Sequence, residues 1–146
     1  MAVKLIVCEQ RGTWAAALRR NLADAVELVE TRSPGECRRE VAEHGPALVA
    51  VELSARRAMD AAALVAWIHD ASPASRSIVL AERRLAGCRW WLRELGAAHV
   101  VVSPRQLTPL REIAARLERR LPVPNSSWSQ KLWATLPWAE PTGPLA

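Results

Sequence analysis

The chain predicts an α/β fold of three layers, in which one parallel, doubly wound sheet lies between two layers of helices. Two observations point there. Five short apolar runs of strand length, Val3 to Cys8, Val26 to Glu30, Pro46 to Leu53, Ser77 to Ala81 and His99 to Val102, alternate with stretches of helical period. Each unit takes about 20 to 30 residues, the spacing of βαβ crossovers. The run Pro46 to Leu53 is also apolar almost throughout, as a central strand covered on both faces must be. Glu52 stands at its carboxyl end, the edge where open α/β sheets bind ligands.

The intervening helices follow from local chemistry. After the first strand, Glu9 to Thr13 is a polar turn with Thr13 as a cap, and Trp14, Leu18 and Leu22 recur at four-residue spacing. Ser33-Pro34-Gly35-Glu36 is a capping signal for a second helix, which carries Cys37 and Val41 inward and stops at Gly45. Ser54 to Ala58 is polar and loop-like, Asp60 caps Ala61 to Ile68, and Pro73 ends that segment. Leu85, Cys88, Leu92 and Leu95 mark a fourth helix closing at Gly96. Thr108-Pro109 opens a fifth with Leu110, Ile113, Leu117 and Leu121 buried and Glu112 supporting Arg116 four residues on.

The chain divides at residue 121 into a domain, 1–121, and a Pro- and Trp-rich tail, 122–146. Its formal charge of +5 is concentrated in residues 76–120, where ten arginines face four glutamates. Cys8, Cys37 and Cys88 are far apart and lack CxxC or His partners, so they suggest neither zinc nor a disulfide framework. The first residues lack the apolar core of a signal peptide, and no run approaches membrane-spanning length; a cytoplasmic location is the expectation. Phosphate-binding glycine loops, a nucleophile elbow and His pairs at metal spacing are all missing, which argues against an enzyme and against a bound cofactor or metal.

Three stretches carry a family resemblance. Pro46 to Leu53, Ile78-Val79-Leu80-Ala81 and Gly96 to Pro104 resemble the third strand, the fourth strand and the Lys-Pro approach of the receiver domains of two-component response regulators, over about residues 3 to 121. The resemblance implies a flavodoxin-like (βα)5 sheet in strand order 2-1-3-4-5. It also implies a site that here is altered in every part. Cys8 and Glu9 stand where the family has paired acids for magnesium, and a thiol is a poor ligand for that ion. Glu52 stands for the phospho-accepting aspartate, Ala81 for the hydroxyl residue and Ser103 for the lysine. The implied protein is a degenerate, non-catalytic pseudo-receiver in a signalling pathway. Glu52 then either mimics an activated charge or, like Glu9, is a solvated residue at the strand edge.

Recognition would fall to two surfaces. In the tail, Trp128, Leu132, Trp133 and Leu136 share one side of a short helix at about 127–136, followed by Trp138. A helix so short is marginal alone and needs a docking surface. Its own domain, a second copy in a homodimer and another protein are the three candidates. In the domain, Trp90 and Trp91 are adjacent on the fourth helix, so at most one is fully buried and Trp90 is expected to face outward. Arg83, Arg84, Arg89, Arg93 and Arg111 belong to the same basic half. These features predict a domain acting by protein–protein interaction. The second reading is a nucleic-acid or acidic-partner module using the arginine face, and the third is a flavodoxin-like cofactor-binding enzyme.

Overall fold

In the computed structural model, which describes residues 3–121, the strands Val3–Cys8 (β1), Val26–Thr31 (β2), Leu48–Leu53 (β3), Arg76–Ala81 (β4) and Ala97–Val101 (β5) form one sheet. Every pairing is parallel and the order is β2-β1-β3-β4-β5. The chain thus has the flavodoxin-like topology expected, and its strand order reverses at the β1–β3 boundary.

Thr13–Leu22 (α1) and Thr108–Arg120 (α5) cover one face of the sheet; Pro34–His44 (α2), Ala58–Ala71 (α3) and Arg89–Glu94 (α4) cover the other. Alternation along β1 shows how the strands serve both layers: Leu5 and Val7 join the α1/α5 core, Ile6 and Cys8 the opposite one. Leu18, Leu22, Leu110 and Leu117 complete the first core, while Cys37, Val41, Leu64, Ile68 and Leu92 complete the second.

Several helix starts differ from the sequence expectation. Gly12, with φ of 90°, precedes α1 in place of a Thr13 cap, and the helix is capped from farther back by Glu9. Ala55–Arg57 forms one 3₁₀ turn and α3 begins at Ala58, which leaves Asp60 inside the first turn, where its charge still favours the helix dipole. Leu107 rather than Thr108 is the residue before α5. The second helix keeps its signal: Ser33 Oγ accepts from Glu36 N at 3.2 Å, and Glu36 Oε2 reaches back to Arg32 N at 3.1 Å.

The fourth crossover departs most. Arg83–Cys88 is 3₁₀, and only Arg89–Glu94 is α-helical. Gly87 in this stretch weakens a continuous α-helix, and of the four expected core residues only Leu92 is fully buried; Leu85, Cys88 and Leu95 are half-buried. Gly96, with φ of 113°, then turns the chain so sharply that β5 starts two residues earlier than expected and ends at Val101. Ile113 and Leu121, expected inside, are half-buried at the margin of the first core.

Candidate functional site

The loops after β1, β3 and β4 meet at the carboxyl rim of the sheet. Cys8, Glu9 and Glu52 line one cleft there, so the fold does bring together three of the five positions singled out in the sequence. Each has its own environment. Cys8 is buried on the α2 side, where the neighbouring Cys37 thiol and then the Thr31 hydroxyl hold its thiol below the ordinary range. That same contact with Cys8, followed by burial, pushes the Cys37 thiol up. Both cysteines are free. Thr31 also donates to Val7 O at 2.8 Å, which fixes it between β1 and β2.

Glu9 is not the solvated edge residue anticipated. It is 2% exposed, and its two oxygens accept from the first main-chain amides of α1: Oε1 from Ala15 N at 2.9 Å and Oε2 from Trp14 N at 3.0 Å. These N–H groups have no partner within the helix, and a carboxylate at the positive end of the dipole is favoured there. Main-chain bonds hold Glu9 on the other side, since its N–H donates to Thr31 O at 3.2 Å and its carbonyl accepts from Arg32 Nη1 at 3.4 Å.

Glu52 is half-buried. Burial, followed by the negative charge of Glu9, lifts its carboxyl above the ordinary carboxylate range; the Gln10 main-chain amide and Arg11 act in the opposite direction. Arg57 lies at the same cleft, where Gln10, with its amide oxygen toward the guanidinium, accepts from Nη2 at 2.7 Å. The other two positions stand apart. Ala81 is fully buried in the α2/α3/α4 core, and Ser103 is on the loop after β5, where its Oγ accepts from Arg105 N at 3.3 Å.

On the edge of the molecule at α4, Trp90 is 73% exposed and Trp91 41% exposed, so both tryptophans present surface. Arg89 and Arg93 share that short helix and, after burial, depress the pKa of the half-buried His99 on β5. Arg83 and Arg84 sit on the preceding 3₁₀ turn, and Arg84 Nε binds Glu82 Oε2 at 2.6 Å. Arg111 is committed elsewhere, with Asp24 at 3.0 Å and the Asn21 carbonyl. Trp128, Leu132, Trp133, Leu136 and Trp138 lie outside the described residues.

Sequence reasoning missed Arg11, Arg56, Arg57 and Trp14 as rim residues. The pair Arg56-Arg57, three and four residues past the end of the central strand, was the available signal. Glu9 as a helix cap had none, because it lies outside the cap and third-helical positions that define a capping box.

In sequence, the chain matches no protein-family model and no curated protein. In structure it is similar to a CheY-like receiver-domain protein of Methanospirillum hungatei, at 15% identity and TM-score 0.67, over 83% of this chain and all of that one. A CheY-like protein of Pseudomonas aeruginosa, TadZ, aligns at 20% identity and TM-score 0.67, over 84% and 98% of the two chains. A protein of Rhodopirellula baltica named as an adenylate cyclase aligns at 15% identity and TM-score 0.65, over 82% and 90%. The architecture of residues 3–121 is therefore that of a response-regulator receiver domain.

Proposed function

We propose that this protein is a non-catalytic receiver-like signalling domain that works by binding protein and does not accept a phosphoryl group. The observation that carries this reading is the Glu9 carboxylate, whose two oxygens are engaged by α1. Magnesium demands several hard oxygen donors in near-octahedral array. With Cys8 buried against Cys37 and Glu9 serving the helix, Glu52 is the one carboxylate of the family pattern left to offer; Asp60 lines the cleft from the first turn of α3, and the Arg57 guanidinium lies in the same cleft. The residues present do not fit the ion. The position of the hydroxyl partner is a buried alanine, and Ser103 brings no positive charge.

What remains is surface. Trp90 and Trp91 are large apolar groups left open to solvent on a short helix that also carries Arg89 and Arg93. A partner that covers them needs an apolar patch fringed by acids. The protein's own tail, in cis or from a second copy, supplies apolar residues of the right kind.

Incubation with acetyl phosphate and magnesium, followed by intact-mass measurement under non-acidic conditions, tests the first half of the proposal. The expected result is an unchanged mass. Gain of a phosphoryl group, abolished by Glu52→Gln, would overturn it.

A further inference from the structure

Beside the cleft at Cys8 lies a larger one of about 380 Å³, within the size range of small-molecule sites. It opens between the loops that follow β1, β3 and β4, at the point where the strand order reverses, the position at which open α/β sheets bind ligands. Arg11, Arg56 and Arg84 reach it from three different loops, Trp14 lines one wall and Leu80 lies at its base.

The charges there are not balanced. Glu82 is held by Arg84 at 2.6 Å, which removes one acid from the account. Neither Arg11 nor Arg56 makes an ion pair among the described residues, and both are solvent-exposed, while Glu52 is the one carboxylate opposing them. Two unpaired guanidinium groups converging on one concave surface present the forked donors that suit phosphate oxygens. Trp14 is half-buried against the α1/α5 core, and the part of its ring that lines the cleft suits a planar ring, since stacking on a Trp accepts any base.

We propose that this cleft binds a small phosphorylated molecule with a planar ring, of the nucleoside monophosphate class, with its phosphate on Arg11 and Arg56 and its ring against Trp14. The site is separate from the α4 surface, so failure of the protein-binding reading leaves it standing.

Isothermal titration of the full chain at low salt with the four common nucleoside monophosphates, with adenosine and with inorganic phosphate tests the proposal. At least one monophosphate is expected to bind at one site per chain, about tenfold or more tighter than inorganic phosphate or adenosine. Arg11→Glu and Arg56→Glu should each weaken that binding about tenfold or more with an unchanged melting temperature, because both side chains are exposed. Glu52→Gln, which removes the opposing charge, should tighten it. Absence of saturable heat with every monophosphate at millimolar concentration would overturn the proposal, as would retained affinity in the Arg11→Glu, Arg56→Glu double variant. Inorganic phosphate binding as tightly as the nucleotides would overturn the part assigned to Trp14.

Discussion

Two carboxylates a short way apart at one rim are put to opposite uses. Glu9 is buried but satisfied, and its loss would leave the first amides of α1 without acceptors. Glu52 is half-buried and opposed by Glu9, so its ionised form is disfavoured in the native state. Glu9→Gln and Glu52→Gln should therefore move stability in opposite directions at neutral pH. The first removes one of two acceptor oxygens and should cost about 1–2 kcal/mol. The second removes a destabilising charge and should add less than about 1 kcal/mol, since solvent screens a partly exposed group. A carboxyl raised above its unfolded value binds more protons in the native state, so its contribution is most favourable at acid pH and is lost as pH rises through the native pKa. Denaturant titrations between pH 4 and pH 7 should show this decline in the parent chain and a flatter profile in Glu52→Gln.

At the scale of elements, the turn between α4 and β5 leaves no room for a side chain at Gly96. Gly96 has φ of 113°, and a Cβ built there would stand 2.6 Å from the His69 ring at the end of α3. Gly96→Ala combines backbone strain with a clash against a side chain that cannot move without leaving α3's last turn. We expect a loss of about 2–3 kcal/mol, read as a lower midpoint in thermal or chemical unfolding. Between α2 and α3, a smaller contact adds to the shared core: the Arg38 guanidinium lies 5.6 Å from the Trp67 ring centroid.

The elements were also the most legible level of the sequence. Strand runs, the Ser33-Pro34-Glu36 helix start and the leucine periods of α1 and α5 each state a local preference that the fold agrees with. The fourth helix was less legible, because its leucines promised a period that Gly87 and the 3₁₀ turn do not keep. The rim was legible in its residues and not in their roles. That Cys8, Glu9 and Glu52 lie together follows from strand order; that Glu9 turns toward α1 depends on a loop whose geometry is set by Gly12 at positive φ. Arg11, Arg56 and Arg84 are remote in sequence, and only the sheet brings their loops to one cleft.

Across the whole molecule, the described residues already form a closed unit, with both faces of the sheet covered and α5 ending at Arg120. No helix among them is long and apolar enough to cross a membrane. A chain ending at Leu121 should therefore fold on its own and unfold cooperatively. Its comparison with the full chain by light scattering and thermal melting reports what residues 122–146 do. A halved mass assigns them to a homodimer, and an equal mass with a lower melting temperature assigns them to docking on their own domain. If both quantities stayed the same, the tail would have no part in covering Trp90 and Trp91, and the absolute mass would then separate a second copy of the domain from an outside protein as the occupant of that surface.

The way Glu9 anchors α1 also limits how such a domain can change over time. An acid in place of Cys8 would not by itself make a metal centre, because a divalent ion would compete with the Trp14 and Ala15 amides for the same two Glu9 oxygens. Gaining the ion and keeping the first helix tethered are competing demands on a single side chain. Building such a centre would call for a second anchor for α1 as well as new ligands, and one substitution cannot supply both.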